Sequence, residues 1–443
     1  MSTAGRTTGS RLRLLVITSS FPRHHHDLAG HFVGHWCRAL ASRGHGVDVL
    51  AWRGPSAVDR RTAAGVKVDF VPYAWPSVEQ LFFGAGTLEN IEGRPLNALL
   101  AVPAAAAMLT AALRACRRQR YDVIVGHWLV PGGLIARVVA DLCGVPCAVV
   151  GHSGGVHLLS SLPRVLAGAL RSYLLRSPVT VPTDALRDKL VGEPAHGASA
   201  AAITVAPMGF EPFCEGEGGG DAVERDMTAG IDAGTLKLGF LGRLVPIKGL
   251  PTVLEALHAL GEQGQGISLE VVGAGPCRKL WEAQAPPHVR FLGPLFGAPK
   301  WACLRRWDAL VLPSTPLQDG RHEGLPVSLL EAASAGAIPL VSGVPGIRPW
   351  LARPSHQILS AGDVSAWRLA IEWLAGLDDG ERHHLTSATK QAVTPLAWPD
   401  YIAQWEQWLY RGAQSETNHS TGSMGTPRCR NSKKSLGPSR LPV

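Results

Sequence analysis

The chain has 443 residues, beyond the size at which one hydrophobic core keeps growing, so two domains are expected. Apolar residues make up 46% and charged residues 18%, the balance of a packed globular enzyme and too apolar for a disordered chain. The net charge of +8 invites a nucleic-acid reading, but its position removes it: residues 1–13 hold three arginines and no acid, and residues 413–443 hold Arg428, Arg430, Lys433, Lys434 and Arg440 against Glu416, leaving the body between them near neutral.

In chain order, residues 1–10 are rich in Ser, Thr and Gly with no apolar period and read as a disordered tail. Strand-length β-rich runs follow at Leu12–Thr18, Val47–Trp52, Val66–Val71, Asp122–His127, Cys147–Gly151 and Val179–Pro182, most of them separated by Ala, Leu and Arg at helical spacing. The run Leu12–Ile17 has the length of a strand and leads into a Phe-Pro turn, so no secretory signal is expected there. Leu96–Leu113 is almost wholly apolar, but Asn97 and Pro103 interrupt it and Arg114, Arg117 and Arg118 follow directly. Its length is marginal for a bilayer, and a helix buried against a parallel sheet is the expectation.

A Gly/Glu-rich stretch, Glu215–Gly220, falls near the junction of the two halves. The second half repeats the design, with strands expected at Leu238–Leu241, Leu269–Val272, Val289–Phe291, Ala309–Leu312 and Ile338–Val341. Near-continuous apolar strands alternating with helices specify an α/β fold of two Rossmann-like domains, each a parallel sheet covered on both faces. The reading sets the first domain at 11–206, the second at 207–392, a helix returning to the first domain at 393–412, and a disordered basic tail at 413–443. The eight cysteines (37, 116, 143, 147, 214, 277, 303 and 429) show neither CxxC nor the Cys/His spacing of a zinc site, so reduced cysteines in a cytoplasmic protein are expected.

In such sheets ligands bind just after the strands. Gly242-Arg243-Leu-Val-Pro-Ile-Lys248-Gly249 lies between a strand and a helix at Leu250–Leu260. Two cations five residues apart at that turn suit a diphosphate, the glycines admit a close ligand, and the helix start adds its own positive end. Residues 321–336, Arg-His-Glu-Gly-Leu-Pro-Val-Ser-Leu-Leu-Glu-Ala-Ala-Ser-Ala-Gly, put Glu323 in a loop and Glu331 more than a turn inside a helix that follows Pro326. Eight residues apart, the two carboxylates are too distant for a hydrolytic acid/base pair and suit a grip on the two ends of a long ligand. A solvated helix face does not explain a Glu331 set within Val-Ser-Leu-Leu-Glu-Ala-Ala. The histidine triplet His24–His26 invites a metal reading, but adjacent histidines on an irregular loop rarely converge on one ion.

These pieces, in order, resemble the retaining family 4 glycosyltransferases: Gly-Arg-Leu-x3-Lys-Gly (242–249), Val-Val-Gly-Ala-Gly-Pro (271–276), Leu-Pro-Ser (312–314) and Glu-Gly-Leu-Pro-x4-Glu-Ala (323–332). Phe-Pro (21–22), Gly-His-Phe-Val (30–33), Arg-Gly-His-Gly-Val (43–47), His-Trp-Leu-Val-Pro-Gly-Gly (127–133), Ala-Pro-Met-Gly (206–209) and Trp-Pro-Asp-Tyr-Ile (398–402) extend the likeness over residues 11–411. The resemblance implies the GT-B fold, two Rossmann-like domains facing across a cleft, and transfer of a hexose from a UDP- or GDP-sugar to an acceptor hydroxyl with no metal or other cofactor.

It further implies catalytic roles for Arg243 and Lys248 at the donor diphosphate, for Glu323 at the transferred sugar and for His152 beside that sugar. Gly30, Gly242, Gly324, Leu325, Pro326, Val327 and Glu331 would bind the donor, Glu331 at the ribose. The sequence departs from the family at Ser153-Gly154-Gly155, where relatives carry Gly-Ser-Asp, and in Gly343–Arg348, which lacks the Glu often found near Gly346. The acceptor stays open among lipid-linked sugars, glycans and small molecules. The basic tails and the apolar Phe82–Phe83 loop are compatible with peripheral contact at the inner face of the plasma membrane.

The sequence also admits two other readings. One is a dinucleotide-dependent oxidoreductase using Val271–Pro276, although Arg278 occupies the third glycine position of that fingerprint. The other is a non-catalytic nucleotide-sugar-binding protein.

Overall fold

The structure is a computed structural model that describes residues 11–415 except 25–26, 28, 56, 58–59, 84–86, 193–202, 213–234, 318–321, 344–345 and 399. His25, His26, Glu215–Gly220 and residues 1–10 and 416–443 therefore lie outside the described residues, while residues 413–415, expected in the basic tail, close the last helix. The chain divides into two compact units, one running to Met208 and resuming after Trp398, the other spanning Gly209–Trp398.

The first unit is built on an eight-stranded sheet: β1 (Arg13–Thr18), β2 (Gly46–Trp52), β3 (Arg60–Ala63), β4 (Val66–Val71), β5 (Val123–His127), β6 (Cys147–Val150), β7 (Val179–Val181) and β8 (Ile203–Val205), in the order 3-4-2-1-5-6-7-8. All neighbours are parallel except the β3–β4 pair. Every residue of β5 and β6 is buried, as befits strands covered on both faces. The second unit carries a six-stranded, wholly parallel sheet: β9 (Leu236–Leu241), β10 (Ile267–Val272), β11 (Val289–Gly293), β12 (Ala309–Leu312), β13 (Ile338–Ser342) and β14 (Ile358–Leu359), in the order 11-10-9-12-13-14. Its core gathers Leu238, Phe240, Leu269, Val271, Val311 and Leu340 under the ring of Trp367.

Every strand expected from the sequence is present within two residues of its expected ends. Three were not expected: β3, whose Arg-Arg-Thr-Ala is polar because it is an antiparallel edge, and β8 and β14, which are three and two residues long.

Three expectations are corrected. The apolar segment forms a 3-10 turn, Pro95–Leu100, running into the helix Ala101–Arg118, but this helix is not buried. Only Ala104, Met108 and Ala112 are buried, because an alanine-rich helix needs one narrow stripe to pack on a sheet; the Trp52 indole anchors it by donating to the Ala104 carbonyl at 2.8 Å. Phe82 and Phe83, conversely, are buried and offer no apolar loop to a membrane. Phe82 stacks on Trp52 with ring centroids 4.3 Å apart, and the Arg23 guanidinium lies 4.6 Å from the Phe83 centroid.

The C-terminal helix begins at Ile402 rather than at 393, after a helix Asp379–Val393 that belongs to the second unit. It packs on the first unit through a buried polar clamp. Glu406 accepts from Arg43 Nε at 2.6 Å and from His45 Nε2 at 2.8 Å, while His45 Nδ1 accepts the Leu12 backbone N–H. Burial alone would raise the Glu406 carboxyl; the hydrogen bonds from Arg43 and His45 outweigh it and hold it below its usual value. Trp405 meets Trp36 edge to face at 5.9 Å, and Tyr401 donates to the Pro207 carbonyl.

Candidate active site

In the second unit, the residues singled out in sequence gather around the ends of β9 and β12 and the start of the helix Val327–Ala335. The turn after β9 is shaped by close backbone approaches. A Cβ on Gly249, whose φ is +61°, would lie 1.9 Å from the Pro313 carbonyl oxygen. Only glycine permits that contact, and it presses the Lys248 turn against the end of β12. Gly249 then starts the helix Leu250–Leu260, with no side chain capping its N–H groups. Gly242 faces the Lys248 side chain, whose Cε would be 3.4 Å from an added Cβ.

The glycines of Val271–Pro276 turn out to serve this turn as well. A Cβ on Gly273 would fall 1.8 Å from the Gly242 oxygen, one on Gly275 2.3 Å from the Leu244 oxygen, and Leu244 N–H donates to the Ala274 carbonyl at 2.9 Å. The dinucleotide-like glycine pattern is thus spent on packing one loop against another.

Lys248 is buried and ion-paired to Glu323 Oε1, and the Ser314 hydroxyl donates to the other oxygen of the same carboxylate. The His322 ring nitrogen Nδ1 meets the Glu323 carbonyl at 2.9 Å. Arg243 is exposed beside this cluster in sequence, two residues after β9. Gly324, Leu325, Pro326 and Val327 link Glu323 to the next helix; Pro326 takes an extended ψ of 128° as its N-cap and is the last residue before it. A proline cap has no side chain with which to satisfy the first-turn N–H groups, so that helix end is open to an anion. The helix closes on Gly336 at φ +110°.

Glu331, one turn further in, is 5% exposed, so it is not a solvated helix face. Its carboxylate receives Lys300 Nζ at 2.9 Å, and Lys300 in turn sits over the Trp301 ring at 4.9 Å. Each of the two glutamates therefore carries its own lysine. Sequence reasoning missed Lys300 and Ser314 as site residues. Ser314 stood within a quoted motif; Lys300, in the first turn of the helix Gly297–Arg306, reads as one more solvated cation.

In the first unit, Gly30 holds φ +61° at the start of the helix His31–Ser42, and a Cβ there would lie 2.1 Å from the Ser20 oxygen. His152 follows β6 and is buried against His127, the last residue of β5, with Nε2 and Nδ1 3.2 Å apart and the rings stacked at 17°. Trp128 and Phe32 complete the cage, their centroids 4.6 and 5.0 Å from His152. Trp128 adopts φ +63°, a strained conformation for a side chain of that size, and Gly132 lets the following loop close to within a Cβ distance of 2.2 Å from the His127 oxygen. Burial pushes the His152 imidazole down to about 3, and burial with the neighbouring ring lowers His127 well below the ordinary histidine value. Both are neutral near pH 7. His127 was not foreseen as a partner of His152, since two strands 20 residues apart bring them together only in the folded sheet.

Two units of largely parallel sheet, one with paired cations and carboxylates at a helix start, define the GT-B class of transferases. Residues 29–209 match the family model described as "Glycosyl transferase 4-like domain", and residues 235–376 match "Glycosyl transferases group 1". The glycogen synthase of Mycobacterium tuberculosis is 29% identical over 364 residues, covering 76% of this chain and 79% of that protein. Sucrose-phosphate synthase from Thermosynechococcus elongatus superimposes with a TM-score of 0.67 at 17% identity, over 90% of this chain and 98% of its own. HepE of Anabaena in complex with UDP-glucose gives 0.57 at 14% identity, over 93% and 100%. The chain belongs to the group 1 glycosyltransferases of GT-B fold, and it is an enzyme that transfers a sugar.

Proposed function

We propose that the enzyme moves a hexose from a UDP- or GDP-sugar to an acceptor hydroxyl with retention at the anomeric carbon. The observation that carries this reading is the pair of lysine-bound glutamates, Lys248–Glu323 and Lys300–Glu331, bracketing the uncapped start of the helix Val327–Ala335. A diphosphate at that helix start meets positive charge from the helix end, Lys248 and Arg243. Glu323 then addresses the hydroxyls of the sugar, and Glu331 those of the ribose. Gly242, Gly324, Leu325, Pro326 and Val327 shape the donor pocket between them. Gly30 and His152, in the first unit, keep the roles that the family resemblance implies for them, His152 as a neutral hydrogen-bonding group rather than a cation.

In the reaction, the bond from the anomeric carbon to the diphosphate oxygen breaks, and a bond to the acceptor oxygen forms on the same face. The acceptor's proton passes to the departing diphosphate, so no protein base is required. Arg243 and Lys248 act by stabilising charge as it develops on the leaving group, which is commonly the largest catalytic contribution. The reading invokes no metal and no organic cofactor. It is supported by the binding of UDP-glucose to HepE and, for a glycan acceptor in polysaccharide or other glycoconjugate synthesis, by the kinship to a glycogen synthase. Lipid-linked sugars and small molecules are the other acceptor classes it admits. We set the reaction in the cytoplasm, in keeping with six free cysteines among the described residues.

A thermal-shift screen against UDP- and GDP-hexoses tests the donor, because a ligand that binds only the native state must raise the melting temperature. Following the anomeric configuration of the product by NMR tests retention. No shift with any nucleotide sugar, or an inverted product, overturns the corresponding half of the proposal.

A further inference from the structure

We propose that the first unit docks on an anionic phospholipid bilayer through the turn Trp75–Val78 and the outward side of Pro95–Arg118. Trp75 is 82% exposed, Leu96 78%, Leu99 72% and Val102 76%, and Val78 and Pro103 are exposed with them. Large apolar side chains standing this far into water are normally scattered singly; among the described residues, five of the ten exposed large apolar side chains fall in these two short segments. Asn90 links the stretch that follows the first segment to the second, its Nδ2 lying within hydrogen-bond reach of the carbonyls of Gln80, Leu81 and Phe83 while its own carbonyl accepts from Asn97.

Among the described residues, Pro95–Arg118 is long and apolar enough to cross a membrane by length and composition. It does not leave the unit, because Ala104, Met108 and Ala112 are buried in the core and Trp52 holds the Ala104 carbonyl. The helix is therefore a surface element with an outward stripe at fourfold spacing: Val102, Ala106, Thr110 and Arg114, then Arg117 and Arg118, all exposed.

Charge selects the occupant. The chain has no aspartate or glutamate between Glu92 and Asp122, yet carries Arg94, Arg114, Arg117, Arg118 and Arg120 there. The stripe is apolar at one end and cationic at the other, about 25 Å along the axis at helical rise. Laid in the plane of a bilayer, its first half enters the boundary between headgroups and acyl chains, and its arginines meet the phosphates of anionic lipids. Trp75, with an apolar ring and a polar N–H, suits the same depth. This docking is independent of the donor reading, since none of these residues belongs to the donor site, and it brings the enzyme to acceptors held at a membrane surface.

Flotation of the full chain with phosphatidylcholine vesicles, with and without phosphatidylglycerol, tests the proposal. The wild type is expected to float with the anionic vesicles only, and less at high salt. The Leu96→Glu/Leu99→Glu pair and the Arg114→Glu/Arg117→Glu/Arg118→Glu triple are each expected to lower the bound fraction at least tenfold, with unchanged melting temperature. If the glutamate pair lowers the melting temperature, Leu96→Ser/Leu99→Ser replaces it. Wild type that floats with neither vesicle, or variants that float as wild type does because the basic tail alone binds lipid, overturn the proposal. So does a wild-type dimer that these same variants dissociate, since the face then serves a second copy of the chain.

Discussion

Replacing His152 with asparagine removes one member of the buried histidine pair and should flatten the pH dependence of the first unit's stability. In the wild type the folded-state value of His152 is lowered to about 3, whereas an unfolded histidine titrates near ~6.5. The folded state thus takes up fewer protons than the unfolded state everywhere between those values. Stability is fully present above ~6.5 and falls as pH drops, by about 1.4 kcal/mol per pH unit for each histidine kept neutral. By about pH 5 this amounts to roughly 2 kcal/mol from His152 alone. His127 adds to the effect in the same direction, because an imidazolium there would need an acceptor at Nε2, which has no partner among the described residues. Urea denaturation at several pH values reads the effect directly. His152→Asn is expected to be less stable at neutral pH through lost packing, yet its stability should decline about 2 kcal/mol less between pH 7 and about pH 5. Contributions from carboxylates such as Glu406 appear in both proteins and cancel in the comparison. Parallel curves for wild type and variant would refute a neutral, buried His152.

Lys300→Met should leave Glu331 buried without its cation, costing about 3 kcal/mol by analogy with other broken buried pairs and raising the KM for the donor more than it lowers kcat; an unchanged KM would show that the pair does not serve the donor. Gly249→Ala and Gly144→Ala form a matched comparison, since their φ angles are +61° and +64° but only Gly249 meets a neighbour, the Pro313 oxygen at 1.9 Å. Urea midpoints should place Gly144→Ala within about 1 kcal/mol of wild type and Gly249→Ala at least about 3 kcal/mol below it; equal losses would remove the argument that Gly249 fixes the Lys248 turn.

Most of the strands that were legible in sequence are near-continuous apolar runs buried on both faces, which have few other meanings, whereas Val66–Val71 alternates buried residues with the exposed Lys67. Ala309–Leu312 and Val66–Val71 are found at their expected ends, while β3, β8 and β14 escaped because two or three residues, or a polar edge, carry no such pattern. Burial was less legible. An alanine-rich run such as Ala101–Arg118 has the same composition whether it is covered or bare, and a Phe-Phe pair in a loop looks exposed until Trp52 is found stacked on it. At the site, motif order singled out Lys248, Glu323 and Glu331, and the apolar setting of Glu331 already pointed to burial. Their partners Ser314 and Lys300 depend on contacts 9 and 31 residues away in sequence, and so appear only in the fold.

The central claim is that Arg243 and Lys248 stabilise a nucleotide-diphosphate leaving group. It is tested most directly by transfer rates for wild type, Arg243→Ala and Lys248→Ala, using the nucleotide sugar that raises the melting temperature most. Each substitution is expected to lower kcat by about 100-fold or more, equivalent to roughly 3 kcal/mol of transition-state stabilisation, while the protein remains folded. Unchanged kcat and kcat/KM in both variants would contradict the account.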